Sequence, residues 1–122
     1  MKPVEWLGTT REDLSGMPEA VKLTIGYALE MAQRGRKHEH AKPLRGFGGA
    51  SVLEIVADYD TDTYRAVYTV RFAGLVYVLH VFQKKSTRGI ATSKRDIELI
   101  RQRLQQAQEH YAAAQAAGKK GP

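Results

Sequence analysis

Apolar residues recur along this chain with two periods, and each change of period marks an element. Val21, Ile25, Ala28, Leu29 and Ala32 fall at spacings of three and four, which puts their side chains on one face of a helix. Pro18 suits the first turn of that helix, because its φ is already helical and its missing N–H would have no partner there. Gly35 suits the end. Ahead of it, "PVEWL" (Pro3 to Leu7) predicts a short edge strand, where proline is tolerated, and "TTREDL" predicts one helical turn. From Arg34 to Gly49, "RGRKHEHAKPLRGFGG" has no period and is rich in glycine and cations, so it predicts a loop.

The period then becomes two. "SVLEIVADY" alternates, with Leu53, Ile55, Ala57 and Tyr59 on one side. "DTDT" turns the chain, and "YRAVYTVRF" and "LVYVLHVFQKK" form a hairpin around Ala73-Gly74. Helical spacing returns at Ile97, Ile100, Leu104, Ala107, Tyr111 and Ala114. Ser93-Lys94-Arg95-Asp96 ahead of it is a capping box with Asp in place of Glu. The pattern predicts one α+β domain over residues 1–117. Its small antiparallel sheet has three to four strands, N-terminal helices pack on one face, and a helix closes the chain. The "GKKGP" tail, 118–122, is expected to be disordered.

Turn lengths fix an expected register. If Ala73-Gly74 is a two-residue loop, Phe72 pairs with Leu75, Thr69 with Val78, Val67 with His80 and Arg65 with Phe82. If "DTDT" is the other loop, Tyr59 opposes Tyr64, Asp58 opposes Arg65 and Glu54 opposes Thr69. One face then collects Leu53, Ile55, Ala57, Tyr59, Tyr64, Ala66, Tyr68, Val70, Phe72, Tyr77, Leu79 and Val81, a core face for helices to cover. The other collects Glu54, Asp58, Arg65, Thr69, Arg71, His80 and Lys84, with Val67, Val78 and Phe82 between them. This second face reads either as a concave site or as a solvated face with cross-strand ion pairs such as Asp58–Arg65.

Charge makes the second face interesting. The 122-residue chain carries a net charge of +6, which attracts polyanions, nucleic acid first and acidic proteins second. It has no cysteine, so disulfides and thiolate metal sites are excluded, in keeping with a reducing cytoplasm. No apolar run follows the first lysine as in a signal peptide, and none approaches the about 18 residues of a membrane span.

Arg65 and Lys84 could hold a phosphate, Arg bidentately and Lys as a point charge. His80 titrates near neutrality, and Glu54 could accept a proton. Such a set suffices for RNA cleavage with no metal and no cofactor. A base takes the 2′-hydroxyl proton, cations stabilise the phosphorane, and an acid protonates the leaving oxygen. The plainer readings are a packed strand histidine for His80, and for Glu54 an ion-pair partner of Arg71 or His80. "HEH" (His38, Glu39, His40) has too few ligands for zinc. "GFGG" is not a nucleotide loop, since no Gly-Lys-Ser/Thr follows it.

"KPLRGFGG" before "VLEI", then "YRAVY", "VLHVFQKKS" and a capped "IELIRQRL" resemble the phage-derived HigB-type toxins of the RelE/ParE toxin–antitoxin superfamily, from about Val4 to Tyr111. The resemblance implies the RelE/ParE-like fold, with a sheet mixed at its edge. It implies metal-free cleavage of mRNA in the ribosomal A site. Phosphate binding and charge stabilisation would fall to Arg65 and to the basic pair Lys84 and Lys85. Lys42 and Arg45 match a basic loop expected to contact ribosomal RNA, with Arg36, Lys37 and Arg71 as further RNA-facing cations. The implied partners are the ribosome, mRNA and a cognate antitoxin of helix-turn-helix type. RelE-type members carry lysines where this chain has Glu54 and Asp58, and no tail tyrosine matches, since Tyr111 lies late in its helix. No general base therefore transfers, and Glu54 and His80 stand as candidates from the residues alone. ParE-type relatives share the fold but poison DNA gyrase. A gyrase inhibitor and a non-catalytic basic nucleic-acid-binding module are the alternative readings.

Overall fold

The apolar stripe Val21–Ala32 is the buried face of helix α2 (Glu19–Gln33), which starts after Pro18. Val21, Ile25, Ala28, Leu29 and Ala32 are all buried there, and each large aliphatic side chain so placed contributes about 1.5–3 kcal/mol relative to exposure. The computed structural model describes residues 1–84 and 92–118. The other elements are β1 (Val4–Trp6), α1 (Thr10–Ser15), β2 (Lys42–Pro43), β3 (Val52–Tyr59), β4 (Asp62–Thr69), β5 (Val76–Lys84) and α3 (Lys94–Gly118).

This is a mixed α+β fold on an open sheet of order β1-β5-β4-β3-β2. Only β1 is parallel to its neighbour, with Val4 opposite Val76. The expected three to four strands become five among the described residues. Lys42–Pro43, read as loop, pairs with Glu54 and Leu53 as a short edge strand. Pro43 is tolerated there because an edge position leaves its missing N–H without consequence. Gly118, expected in the tail, is the last residue of α3.

Two registers differ from expectation. Asp60 and Thr61 alone form the β3–β4 turn, both with positive φ (49° and 70°), and Tyr59 pairs with Asp62. Positive φ at both central residues matches the twist of a hairpin. Arg65 therefore opposes Val56, and Glu54 opposes Val67. The slip is two residues, so every side chain keeps its face.

In the β4–β5 hairpin, Leu75 N–H donates to Phe72 O at 3.3 Å. Gly74, at φ +83°, fills the turn position that glycine takes without strain. The expected pairs hold from Thr63–Lys84 to Val67–His80. A bulge at Leu79 then makes Tyr68 oppose Val78 and Thr69 oppose Tyr77.

The bulge reassigns faces. Val76 and Val78 join Leu53, Ile55, Ala66 and Tyr68 in the core under α2. Tyr77, Leu79 and Phe72, expected on that face, pack on the other with Val52, Val67, Phe82 and the Ile97, Ile100, Leu104, Ala107 stripe of α3. The second face is therefore not an open concave surface, because α3 covers its apolar half. The bulged Leu79 carbonyl accepts from Arg103 Nη1 of α3 at 2.9 Å. Gly8 makes room for that guanidinium, since a Cβ there would stand 2.5 Å from Arg103 Nη2. No helix of the described residues is long and apolar enough to cross a membrane.

A β-branched residue in the left-handed region is strained by about 1–2 kcal/mol. Thr61→Gly is therefore expected to stabilise the protein by about 0.5–1 kcal/mol, net of glycine's extra unfolded-state entropy. Urea denaturation of both proteins checks this, and a loss of stability would contradict the strained turn.

Candidate functional site

Beyond the apolar half of the second face, the sheet carries charge. Glu54 on β3, Arg65 on β4 and Lys84 on β5 all point to this side. Arg65 Nη1 donates to Glu54 Oε2 at 2.9 Å, with the two side chains only 6% and 15% exposed. Thr92, just ahead of α3, closes a triangle: its hydroxyl accepts from Arg65 Nη1 at 3.2 Å and donates to Glu54 Oε2 at 3.1 Å. A buried guanidinium is tolerated only with such partners. The expected Asp58–Arg65 pair is replaced, because Asp58 stands opposite Thr63 and accepts its hydroxyl at 3.0 Å.

Lys84 is half-buried opposite Thr63. Burial first, then the Arg65 charge, pulls its ammonium below the usual lysine range, with Glu54 opposing. Lys42 stands directly opposite Glu54 on the edge strand and is exposed. Lys85 lies outside the described residues.

His80 shares the face but is engaged elsewhere. Its Nε2 lies 2.9 Å from Asp96 Oδ1. A carboxylate only accepts, so Nε2 carries the hydrogen. Its Nδ1 is buried without a hydrogen-bond partner among the described residues, and its ring stacks on Phe82 at 4.3 Å between centroids. Burial lowers its pKa, and Arg103 adds to this, while Asp96 and Asp13 oppose. His80 thus reads as a neutral strut between β5 and α3. Asp96 also receives the Ser93 hydroxyl at 2.7 Å, and its N–H donates to Ser93 Oγ at 3.2 Å. The capping box so ties the helix start to the sheet.

Arg71 and Arg101 meet at a second place, the loop before β3, where Arg45 is exposed. Arg71 donates to Ser51 Oγ at 3.1 Å and to Phe47 O at 3.3 Å. Arg101 of α3 lies 4.7 Å over the Phe47 ring and donates to Gly46 O at 3.2 Å. From Ser51 to Asp58, β3 spans about 20 Å, so Arg71, Lys42, Arg65 and Lys84 line one side of the sheet over that length. Arg36 and Lys37 do not join them; they follow α2, which covers the opposite face. In the "HEH" stretch, His38 Nδ1 accepts the His40 N–H at 3.0 Å.

Thr92, Arg101 and Arg103 were not singled out from sequence. Arg103 follows Ile100 by three residues, and that spacing alone marks it as a flank of the buried stripe. Nothing local marks Thr92.

The profile of the family described as phage derived protein Gp49-like (DUF891) matches residues 12–105. The chain belongs to the Gp49-like family. This is a RelE-like toxin family, and membership implies an antitoxin partner in general. None of the curated proteins matches the chain. The Gp49-like match spans every residue of the charged group, from Lys42 and Glu54 to Lys84 and Thr92.

Two outcomes test the electrostatics. Glu54→Leu leaves the buried Arg65 without its carboxylate and is expected to cost about 3 kcal/mol. Adding Arg65→Met should recover much of that loss. A double variant as unstable as Glu54→Leu would show that packing, not charge, sets the cost. For His80 the folded pKa lies below the unfolded value of about 6.5, so its contribution is present above that pH and lost as pH falls toward the folded pKa. Stability should decline on acidification below about pH 6.5, and His80→Gln should remove that part of the slope in denaturation series across pH.

Proposed function

We propose that this Gp49-like protein is a HigB-like toxin that cuts mRNA on the ribosome, in the cytoplasm, by attack of the 2′-hydroxyl on the adjacent phosphate. The observation that carries the reading is the convergence of Arg65, Lys84 and Glu54 on one end of the sheet, with Lys42 in register beside them. Three cations around one carboxylate suit a phosphodiester whose charge rises in the transition state.

The geometry suggests a division of labour. Arg65 is buried and holds Glu54, so it acts as a fixed charge behind the surface. Lys84 is the part-exposed member, placed to hold the phosphate and to stabilise the charge that grows on it. As the 2′ oxygen bonds to phosphorus its proton passes to a base, an acid gives a proton to the 5′ oxygen as the P–O5′ bond breaks, and a 2′,3′-cyclic phosphate remains. Lys42, Arg71 and Arg101, with Arg45 exposed on the same loop, would hold RNA along the same side. Glu54 positions Arg65 in this scheme, and His80 props α3. Lys85 remains the second member of the basic pair that the family resemblance implies. The antitoxin would neutralise the toxin by covering this side or its approach to the ribosome.

Primer extension on a defined mRNA, translated in a purified system with and without ribosomes, tests the proposal. Cuts at codon boundaries that need ribosomes are expected. Lys84→Ala should slow them by roughly 10²-fold or more with the melting temperature unchanged. Ribosome-independent cutting, or full activity in Lys84→Ala, would sink the assignment. DNA breaks in a gyrase assay without mRNA cuts would put the gyrase inhibitor in its place.

A further inference from the structure

The face of α2 turned away from the sheet does not look like an ordinary solvated helix surface. Leu23 and Tyr27 are 67% and 56% exposed, one turn apart, and Met31 continues the row a turn further on. Eight residues of helix span about 12 Å. The row ends in a groove of about 290 Å³ lined by Tyr27, Glu30, Met31, Arg34 and Arg36. A second groove, of about 640 Å³, shares Arg34 and Arg36 and runs on past Lys2 and Gln33 to Gly74 at the hairpin tip.

The surface is built. Tyr27 is held edge-on against buried His38, 5.5 Å between centroids, and His38 is fixed in turn by the His40 N–H. An aromatic so braced loses little conformational entropy when covered. The charge is one-sided. Glu30 is paired with Arg34 at 3.1 Å, and no carboxylate lies within ion-pair distance of Lys2, Arg36 or Lys37 among the described residues.

We infer that this face of α2 docks an acidic amphipathic helix of a protein partner, with apolar residues on Leu23, Tyr27 and Met31 and carboxylates on Lys2, Arg36 and Lys37. Exposed apolar rows rimmed by charge mark such sites. RNA is the poorer occupant, because two of the three row residues are aliphatic and only Tyr27 offers a ring for a base. Arg36, expected to face RNA, lines this surface, and Lys37, exposed, follows it in the chain. The inference stands apart from the nuclease reading, since α2 and the Arg65 group lie on opposite faces of the sheet.

The test uses the full chain and a phage-displayed library of random peptides, with the strongest binders measured by fluorescence anisotropy. Binders enriched in Leu, Phe, Asp and Glu are expected. Tyr27→Ala and Arg36→Glu should each weaken them roughly tenfold, while Lys84→Ala leaves them unchanged. Both altered side chains are exposed, so melting temperatures should not move. Binders without acidic bias, an absence of binders, binding indifferent to both variants, or displacement of the peptide by single-stranded RNA would each overturn the assignment.

Discussion

The bulge at Leu79 is the constraint on which the rest of the sheet depends. It places two consecutive β5 residues, Leu79 and His80, on the same side. Leu79 fills the core under α3, and His80 reaches Asp96 at the helix start. Without the extra residue, one of the two would turn to the α2 face, where Ile55, Ala66 and Val81 already close the core. The bulge also takes the Leu79 carbonyl out of the ladder, and Arg103 meets it. One inserted residue thus couples the second core, the Arg103 contact of α3 and the histidine strut.

Covering the apolar half of the sheet also sets the electrostatics of the other half. Thr92, just ahead of α3, bonds both members of the Glu54–Arg65 pair, and their side chains are largely buried. A guanidinium in that setting keeps its charge through its partners and projects it at neighbours with little screening. Lys84 is the neighbour that responds, through burial and the Arg65 charge together. A lysine on an open sheet would feel far less, because water would screen the same charge. The segment that leads into the helix is therefore part of the electrostatic environment of Lys84, although no α3 side chain belongs to the cation set around Glu54.

Most of the fold was legible because its elements carry clean periods. The α2 stripe was readable to the residue, and Ser93 with Asp96 announced the α3 start. The faces of β3 and β4 survived a wrong turn length because the error was two residues, an even slip. The Leu79 bulge was not legible, since "VYVLHV" is apolar on both sides of it and alternation gives no phase. Lys42–Pro43 was missed for a related reason: a two-residue strand has no period, and proline argues against one. Of the candidate site, the residues that share a face could be read. Their partners could not, because Glu54–Arg65 depends on register and Thr92 arrives from a distant segment.

The placement of the two surfaces carries a consequence for regulation. A partner on α2 would sit across the full thickness of the sheet from Lys84. On the nuclease proposal, such a partner would have to act through its own bulk, or through a second segment reaching the Arg65 face. A partner on α2 would not touch the Arg65 face, since the α2 core and the sheet lie between them. A single compact partner domain and a long wrapping one would therefore leave different parts of this molecule exposed: the first would leave Lys84 open to solvent, the second would not.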